Sequence, residues 1–242
     1  MRLGLQRLKN FFLKIGYVLT ENVYMKMQDV RTNQHDLLAM QYLAPLSTFY
    51  LPWNQSTMRP SGMVRVLNEI ILNRRKNIVE CGGGISTLYI ARLIRQTNSH
   101  LYTIEHNREW ADLLTTMLEN EGLKNYVTII FAPLKSTELA LNACDWYDTL
   151  CIERALVGVR IDLLLVDGPP AYKDNLQYAR YPAIPFFLQF LNDDYTIILD
   201  DIDRKNEQEI VEKWGNILDI SFDRYFLNGN IAIGRSVPSF TV

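Results

Sequence analysis

Three carboxylates close two apolar runs in this chain: Asp167 ends IDLLLVD, and Asp200 and Asp201 end YTIILDD. Acids crowded at the mouths of neighbouring strands repel one another unless a proton or a cation neutralises them. Hard oxygen ligands suit Mg2+, which takes few carboxylates and keeps several waters. Asp167, Asp200 and Asp201 are therefore candidate metal ligands. A metal on a bound hydroxyl lowers its pKa and orients its oxygen. A second route needs no metal: Asp167 serves as general base, and Asp200 and Asp201 hold substrate or a loop. Asp167, Asp201 and Arg180 form the candidate catalytic set. A third reading makes Asp200-Asp201-Ile202-Asp203-Arg204 a helix-capping acidic run with an ion pair. In the polar and aromatic loop Ala171–Pro182, Tyr172, Lys173, Arg180 and Tyr181 are available to touch a substrate, or Arg180 caps the acidic cluster. Trp146 and Tyr147, in the long segment before the Asp167 strand, either close a pocket or belong to the core.

A second constellation is NIVECGGGIST, residues Asn77–Thr87. An apolar run ends in Glu80, three glycines follow, and a helical pattern opens. Glycine has no Cβ, so backbone N–H groups and a helix N-terminus can approach a ligand there. The dinucleotide fingerprint wants a third glycine where Thr87 stands, and a P-loop wants a lysine that is absent. Acid-x-Gly-x-Gly remains: Glu80, Gly82, Gly84. One β-α-β unit later, HLYTIE ends in Glu105, where an acid can accept hydrogen bonds from both ribose hydroxyls of an adenosine. His106 follows. A third strand, Val127–Phe131, runs into Ala132-Pro133.

This pattern resembles the first motif of class I S-adenosylmethionine-dependent methyltransferases. The resemblance implies that Gly82 and Gly84 sit against the methionine part of the cofactor and that Glu80 orients the loop and the ammonium end. It also implies a cofactor site of Glu80, Cys81, Gly82, Gly84, Ser86, Thr87, Glu105 and Asp167, with His106, Ala132 and Pro133 beside the adenine. The carboxylates look like those of metal-dependent, catechol-type O-methyltransferases, which carry Asp-Asn where this chain has Asp200-Asp201. Bacterial O-methyltransferases of natural-product and glycan pathways are similar. Asp167-Gly168-Pro169-Pro170-Ala171-Tyr172 interrupts the Asp-Pro-Pro-Tyr of enzymes that methylate amino groups of nucleic acids.

The elements that must position these residues alternate from Asn77 onward, as in a parallel sheet covered on both faces. Strands are expected at His100–Glu105, Val127–Phe131, Ile161–Asp167 and Tyr195–Asp200. Helices are expected at Met63–Leu72, Ser86–Arg95, Trp110–Glu121, Ala179–Leu191 and Asn206–Leu218. Ile220–Leu227 and Ile231–Gly234, joined by Asn228-Gly229-Asn230, read as a hairpin. The expected fold is α/β: a Rossmann-like seven-stranded mostly parallel sheet with an antiparallel C-terminal hairpin, helices on both faces, plus an N-terminal helical extension. Residues 1–62 form that extension and a cap loop, and residues 63–242 the methyltransferase domain. Leu5, Leu8, Phe12, Ile15 and Leu19 mark an amphipathic helix that packs on its own domain, joins a second copy, or lies on a membrane surface. Gln28–Leu46 reads as helical, followed by the loop LPWNQSTMRPSG with an exposed-looking Trp53.

The chain has 242 residues, 48% of them hydrophobic, and a formal charge of −2. Its scattered Lys and Arg give no basic face for nucleic acid. Cys81, Cys144 and Cys151 make neither a disulfide framework nor a zinc pattern, so a cytoplasmic setting is expected. No apolar run reaches transmembrane length and no signal peptide is evident. The expected activity is S-adenosyl-L-methionine-dependent O-methylation of a small-molecule or sugar-like (glycan) hydroxyl, with Mg2+ as a second cofactor of the metal route. The alternatives are a binding module without turnover and an aminopropyltransferase on the same fold.

Overall fold

The computed structural model describes residue 23 and residues 26–54, 56–173 and 175–240. The amphipathic helix expected around Leu5–Leu19 lies outside the described residues. Helical residues 26–43 (α1) lead through the 3-10 turn Ala44–Leu46 and a loop into α2 (Pro60–Leu72). Then come β1 (Asn77–Cys81), α3 (Ile85–Ile94), β2 (His100–Glu105), α4 (Arg108–Asn120) and β3 (Val127–Phe131). A small hairpin of β4 (Leu134–Ser136) and β5 (Asp145–Tyr147) precedes α5 (Thr149–Ala155) and β6 (Ile161–Val166). The chain ends with α6 (Ala183–Phe187), β7 (Leu191–Leu199), α7 (Lys205–Leu218), β8 (Phe222–Tyr225) and β9 (Ile231–Arg235).

The main sheet has the order β3-β2-β1-β6-β7-β9-β8. Its first five strands are parallel, and β9 runs antiparallel between β7 and β8. β6 is buried along its whole length, as expected of a central parallel strand whose residues are nearly all apolar. Successive residues face opposite sides. Ile78, Leu163, Leu165 and Ile198 join Met63, Leu88 and Ile94 in one core cluster. Val79, Leu164, Val166 and Ile197 join Trp146, Phe187 and Trp214 in the other.

Register brings the acids together. Val166 pairs with Leu199, so Asp167 and Asp200 are the next residues out on adjacent strands. Cys81 pairs with Ile104, which sets Gly82 beside Glu105. The strand order reverses between β1 and β6, and a crevice opens beyond their carboxyl ends.

Three expectations need correction. The helix expected over Ala179–Leu191 is only α6 plus a 3-10 turn. Pro182 and Pro185 remove donors from this stretch, and Phe186, Phe187 and Phe190 crowd into an aromatic cluster with Trp146. β7 starts at Leu191, not at Tyr195; its first residues escape the sequence pattern because exposed Asn192, Asp193 and Asp194 carry no apolar alternation. Trp53 is half-buried, its ring centroid 6.0 Å from that of Tyr89. β4, β5 and α5 are too short to show a periodicity in the sequence.

Candidate active site

The glycine turn is a contact between two strand ends. Gly82 has φ +90°, a left-handed conformation that side chains rarely adopt. A Cβ on Gly82 would lie 2.9 Å from the Gly168 nitrogen, and one on Gly168 would lie 2.4 Å from Tyr147 Oη. The loops after β1 and β6 therefore touch backbone to backbone, and only glycine permits it.

Glu80 braces this turn from behind. Its carboxylate accepts from Ser86 Oγ, from Thr87 Oγ1 at 2.6 Å and from Thr103 Oγ1 at 2.9 Å. Thr87 Oγ1 also accepts from the Gly84 N–H at 3.1 Å, which ties the first turn of α3 to the loop. Burial pushes the Glu80 carboxyl up to about 7, against the pull of the three hydroxyl donors.

Glu105 holds the same loop from β2. It accepts from the Gly83 N–H at 3.2 Å and the Asn107 N–H at 2.7 Å. A carboxylate has more lone pairs than these two bonds use, so capacity remains for donors of a ligand. Trp110 Nε1 donates to the Gly83 carbonyl at 2.7 Å, a second bond to this glycine. Trp110 gets its place from the N-cap of α4, where Asn107 Oδ1 accepts from the Trp110 N–H at 3.0 Å.

The opposite wall is charged. Asp167, Asp200 and Asp201 present carboxylate oxygens within 4.8 Å of one another. Two guanidiniums already stand among them. Arg180 Nη2 lies 3.2 Å from Asp167 Oδ1 and 3.0 Å from Asp201 Oδ2, and Arg204 Nη2 lies 2.9 Å from the same Asp201 oxygen. Burial pushes Asp167 up to about 7; Arg180 opposes the shift and Asp201 adds to it. Asp200, buried beside the charges of Asp167 and Asp201, lies well above the carboxylate range. The Mg2+ expectation does not fit this arrangement, because Arg180 and Arg204 already stand against Asp167 Oδ1 and Asp201 Oδ2.

Both walls face one cavity of about 540 Å3, a size that takes a nucleoside and part of an acceptor. It brings together Gly82, Gly84, Ser86, Glu105, His106, Asp167, Arg180, Asp200 and Asp201. Glu80, Cys81, Thr87, Ala132 and Pro133 do not line it. Cys81 is fully buried and burial pushes its thiol up, which leaves it inert.

The sequence reading missed Trp110, named Arg204 only as the ion-pair partner of an acidic run, and left Tyr147 between pocket and core; the Arg204–Asp201 pair is present. Tyr147 is both: it is 1% exposed, it lines the cavity, and among the described residues its Oη has no hydrogen-bond partner. Trp146 is wholly core. Over the cavity lies the loop after the 3-10 turn, through Pro52, Asn54, Ser56, Thr57 and Met58. α1 anchors it, because Asp36 pairs with Arg59 at 2.6 Å and accepts from Ser61 Oγ at 2.6 Å. A signal for Trp110 did exist, namely an Asn cap directly after the Glu105 strand.

A family model described as a methyltransferase domain matches residues 79–202, just over half of the chain. Solved structures share the fold. The O-methyltransferase TomG from Streptomyces achromogenes, involved in tomaymycin synthesis and solved with SAM, is 14% identical with a TM-score of 0.52, covering 82% of this chain and 96% of that one. An O-methyltransferase from Bacillus cereus in complex with SAH is 14% identical with a TM-score of 0.50, over 85% and 91%. The SAH-bound Podospora anserina methyltransferase PaMTH1 is 15% identical with a TM-score of 0.51, over 86% and 88%. A comparison with curated protein sequences returns no match.

Proposed function

This chain belongs to the methyltransferase-domain family whose model spans residues 79–202, and from that premise we propose that it transfers a methyl group from S-adenosylmethionine to a hydroxyl oxygen of a small or sugar-like acceptor. One observation carries the reading: a buried acid with spare acceptor capacity, Glu105, faces Asp167 across a single cavity. The Gly82–Gly84 turn and Glu105 would hold the nucleoside, and Trp110 and Tyr147 would complete its wall. When bound, S-adenosylmethionine supplies a methyl group on a sulfonium that departs as a neutral thioether. Positioning then supplies much of the rate.

Asp167 accepts the proton of the acceptor hydroxyl at Oδ2, since Oδ1 already receives Arg180. Arg180 and Arg204 offer positive charge to the oxygen as it loses that proton. Asn54, Ser56, Thr57 and Tyr172 supply polar groups around the mouth, which suits an acceptor rich in hydroxyls. We assign residues 1–62 to an extension and cap loop and residues 63–242 to the catalytic domain; of the described residues of the former, Leu43, Leu51 and Met58 pack into the core shared with the latter. No helix among the described residues is long and apolar enough to cross a membrane. We place the work in the cytoplasm, on small molecules and not on nucleic acid.

Calorimetry with S-adenosylhomocysteine tests the nucleoside half. One site per chain is the expected result, and no binding of either the cofactor or this product removes the reading. Transfer of a labelled methyl group to an oxygen acceptor separates an O-methyltransferase from a binding module without turnover. Aminopropyl transfer would instead consume decarboxylated cofactor.

A further inference from the structure

The acidic wall contains a cation that is part of the chain. Arg180 is 3% exposed and all its donor nitrogens are engaged. Nε donates to the Pro169 carbonyl at 3.4 Å, Nη1 to the Asp200 carbonyl at 3.1 Å, and Nη2 to the Asp167 carbonyl at 2.6 Å. Nη2 also meets Asp167 Oδ1 and Asp201 Oδ2. We infer that Arg180 occupies the role of a divalent ion in this cluster, so that the acceptor wall neither needs nor admits a metal. The inference deepens the proposed function and shares its assumption that this wall faces the acceptor.

Three features carry it. The first is the anchoring. The three carbonyls that hold the guanidinium belong to the loops after β6 and β7, the loops whose side chains would ligate a metal. Withdrawing Arg180 would leave those carbonyls without their donors in a dry site, which is costly. The second is the geometry of the acids. Mg2+ requires near-octahedral oxygens at 2.0–2.1 Å, whereas Asp201 Oδ2 already receives both Arg180 and Arg204. An ion placed there would stand against two guanidiniums at close range, where like charges repel strongly in a low dielectric. The third is shape. A planar guanidinium can bridge two carboxylates and the flanking carbonyls at once, which a lysine ammonium cannot do.

The test uses the full-length chain and Mn2+ as the probe, followed by calorimetry and by the spin-resonance signal of the free ion. The wild type should bind no Mn2+ tighter than millimolar, and its melting midpoint should be the same in chelator and in excess Mg2+. Arg180→Gln, which leaves three carboxylates without that cation, should bind Mn2+ at least tenfold more tightly. Adding Asp201→Asn to that variant should abolish the gain. A wild type that binds one Mn2+ at micromolar affinity and loses it on Asp201→Asn overturns the inference. So does a folded Arg180→Gln variant that stays as silent as the wild type. If Arg180→Gln does not fold, the wild-type titration decides alone. S-Adenosylhomocysteine is titrated alongside: failure of that binding sinks the proposed function and leaves the metal result standing.

Discussion

The wall of the crevice built by β1 and β2 holds its acids mainly with hydroxyl and backbone N–H donors, with His106 Nδ1 3.0 Å from Glu105 Oε1, while the wall built by β6 and β7 holds them with guanidiniums. Glu80 receives three hydroxyls and Glu105 two backbone N–H groups. Asp167 and Asp201 receive Arg180, and Asp201 receives Arg204 as well. Neutral donors position a loop without adding charge, which suits a wall that binds a cofactor the same way in every turnover. Charges in a low dielectric respond to each proton that arrives, which suits a wall where a proton must move. The difference teaches that a buried carboxylate is not a role in itself. Its partners decide whether it braces or reacts.

The sharpest way to break the comparison is Arg180→Ala. It strands the partly buried Asp167 and Asp201 and the buried Asp200 and should cost about 3 kcal/mol of stability. Urea unfolding reads this, and a loss below about 1 kcal/mol would mean that the guanidinium does not hold the wall. Glu105→Ala attacks the neutral wall. Removing a charged acceptor should weaken S-adenosylhomocysteine by about 1–3 kcal/mol with no change in the acceptor KM. Equal affinity in calorimetry would deny Glu105 a place at the nucleoside.

Protons should act on turnover through Asp167. With Asp167 raised to about 7, kcat/KM should rise with pH up to about 7 and level off above about 8, as expected of a base that must first lose its proton. The apparent value belongs to Asp167 and Asp200 together. A flat profile from pH 5.5 to 8.5 would exclude Asp167 as the base.

The smallest effect is expected behind the charged wall. Glu207 is fully buried, its oxygens have no hydrogen-bond partner among the described residues, and burial pushes it up to about 7 against Arg180 and Arg204. Its folded pKa exceeds its unfolded one, so the native state holds the extra proton. Its contribution to stability therefore falls as pH rises from about 4.5 to about 7. Glu207→Gln should stabilise by on the order of 1 kcal/mol at pH 8 and by little at pH 5. Unfolding at both values checks the sign, and a variant less stable at pH 8 would show that the charge of Glu207 is wanted.

Much of the sheet was legible. β2 and β3 run over His100–Glu105 and Val127–Phe131 as read, because short runs rich in β-branched and aromatic residues favour the extended chain. β8 and β9 flank the Asn228-Gly229-Asn230 turn, where Gly229 has φ +112°. α6 was overread, since a run of phenylalanines looks equally apolar in a helix and in an aromatic cluster. Arg180 was visible as a basic residue near acids. Its engagement by three backbone carbonyls was not, because those carbonyls have no letter in a sequence.

Strand, glycine turn and helix cap are local matters of backbone sterics and apolar period, so the amino-acid order alone determined the sheet, the crevice at its switch point and the acids that rim it. Only the tertiary structure decided which acid faces a hydroxyl, which an amide and which a guanidinium, and that Tyr147 ends in the cavity with its hydroxyl unpaired. Those partners come from segments far apart in the chain, and separation along the chain says nothing about distance across a crevice.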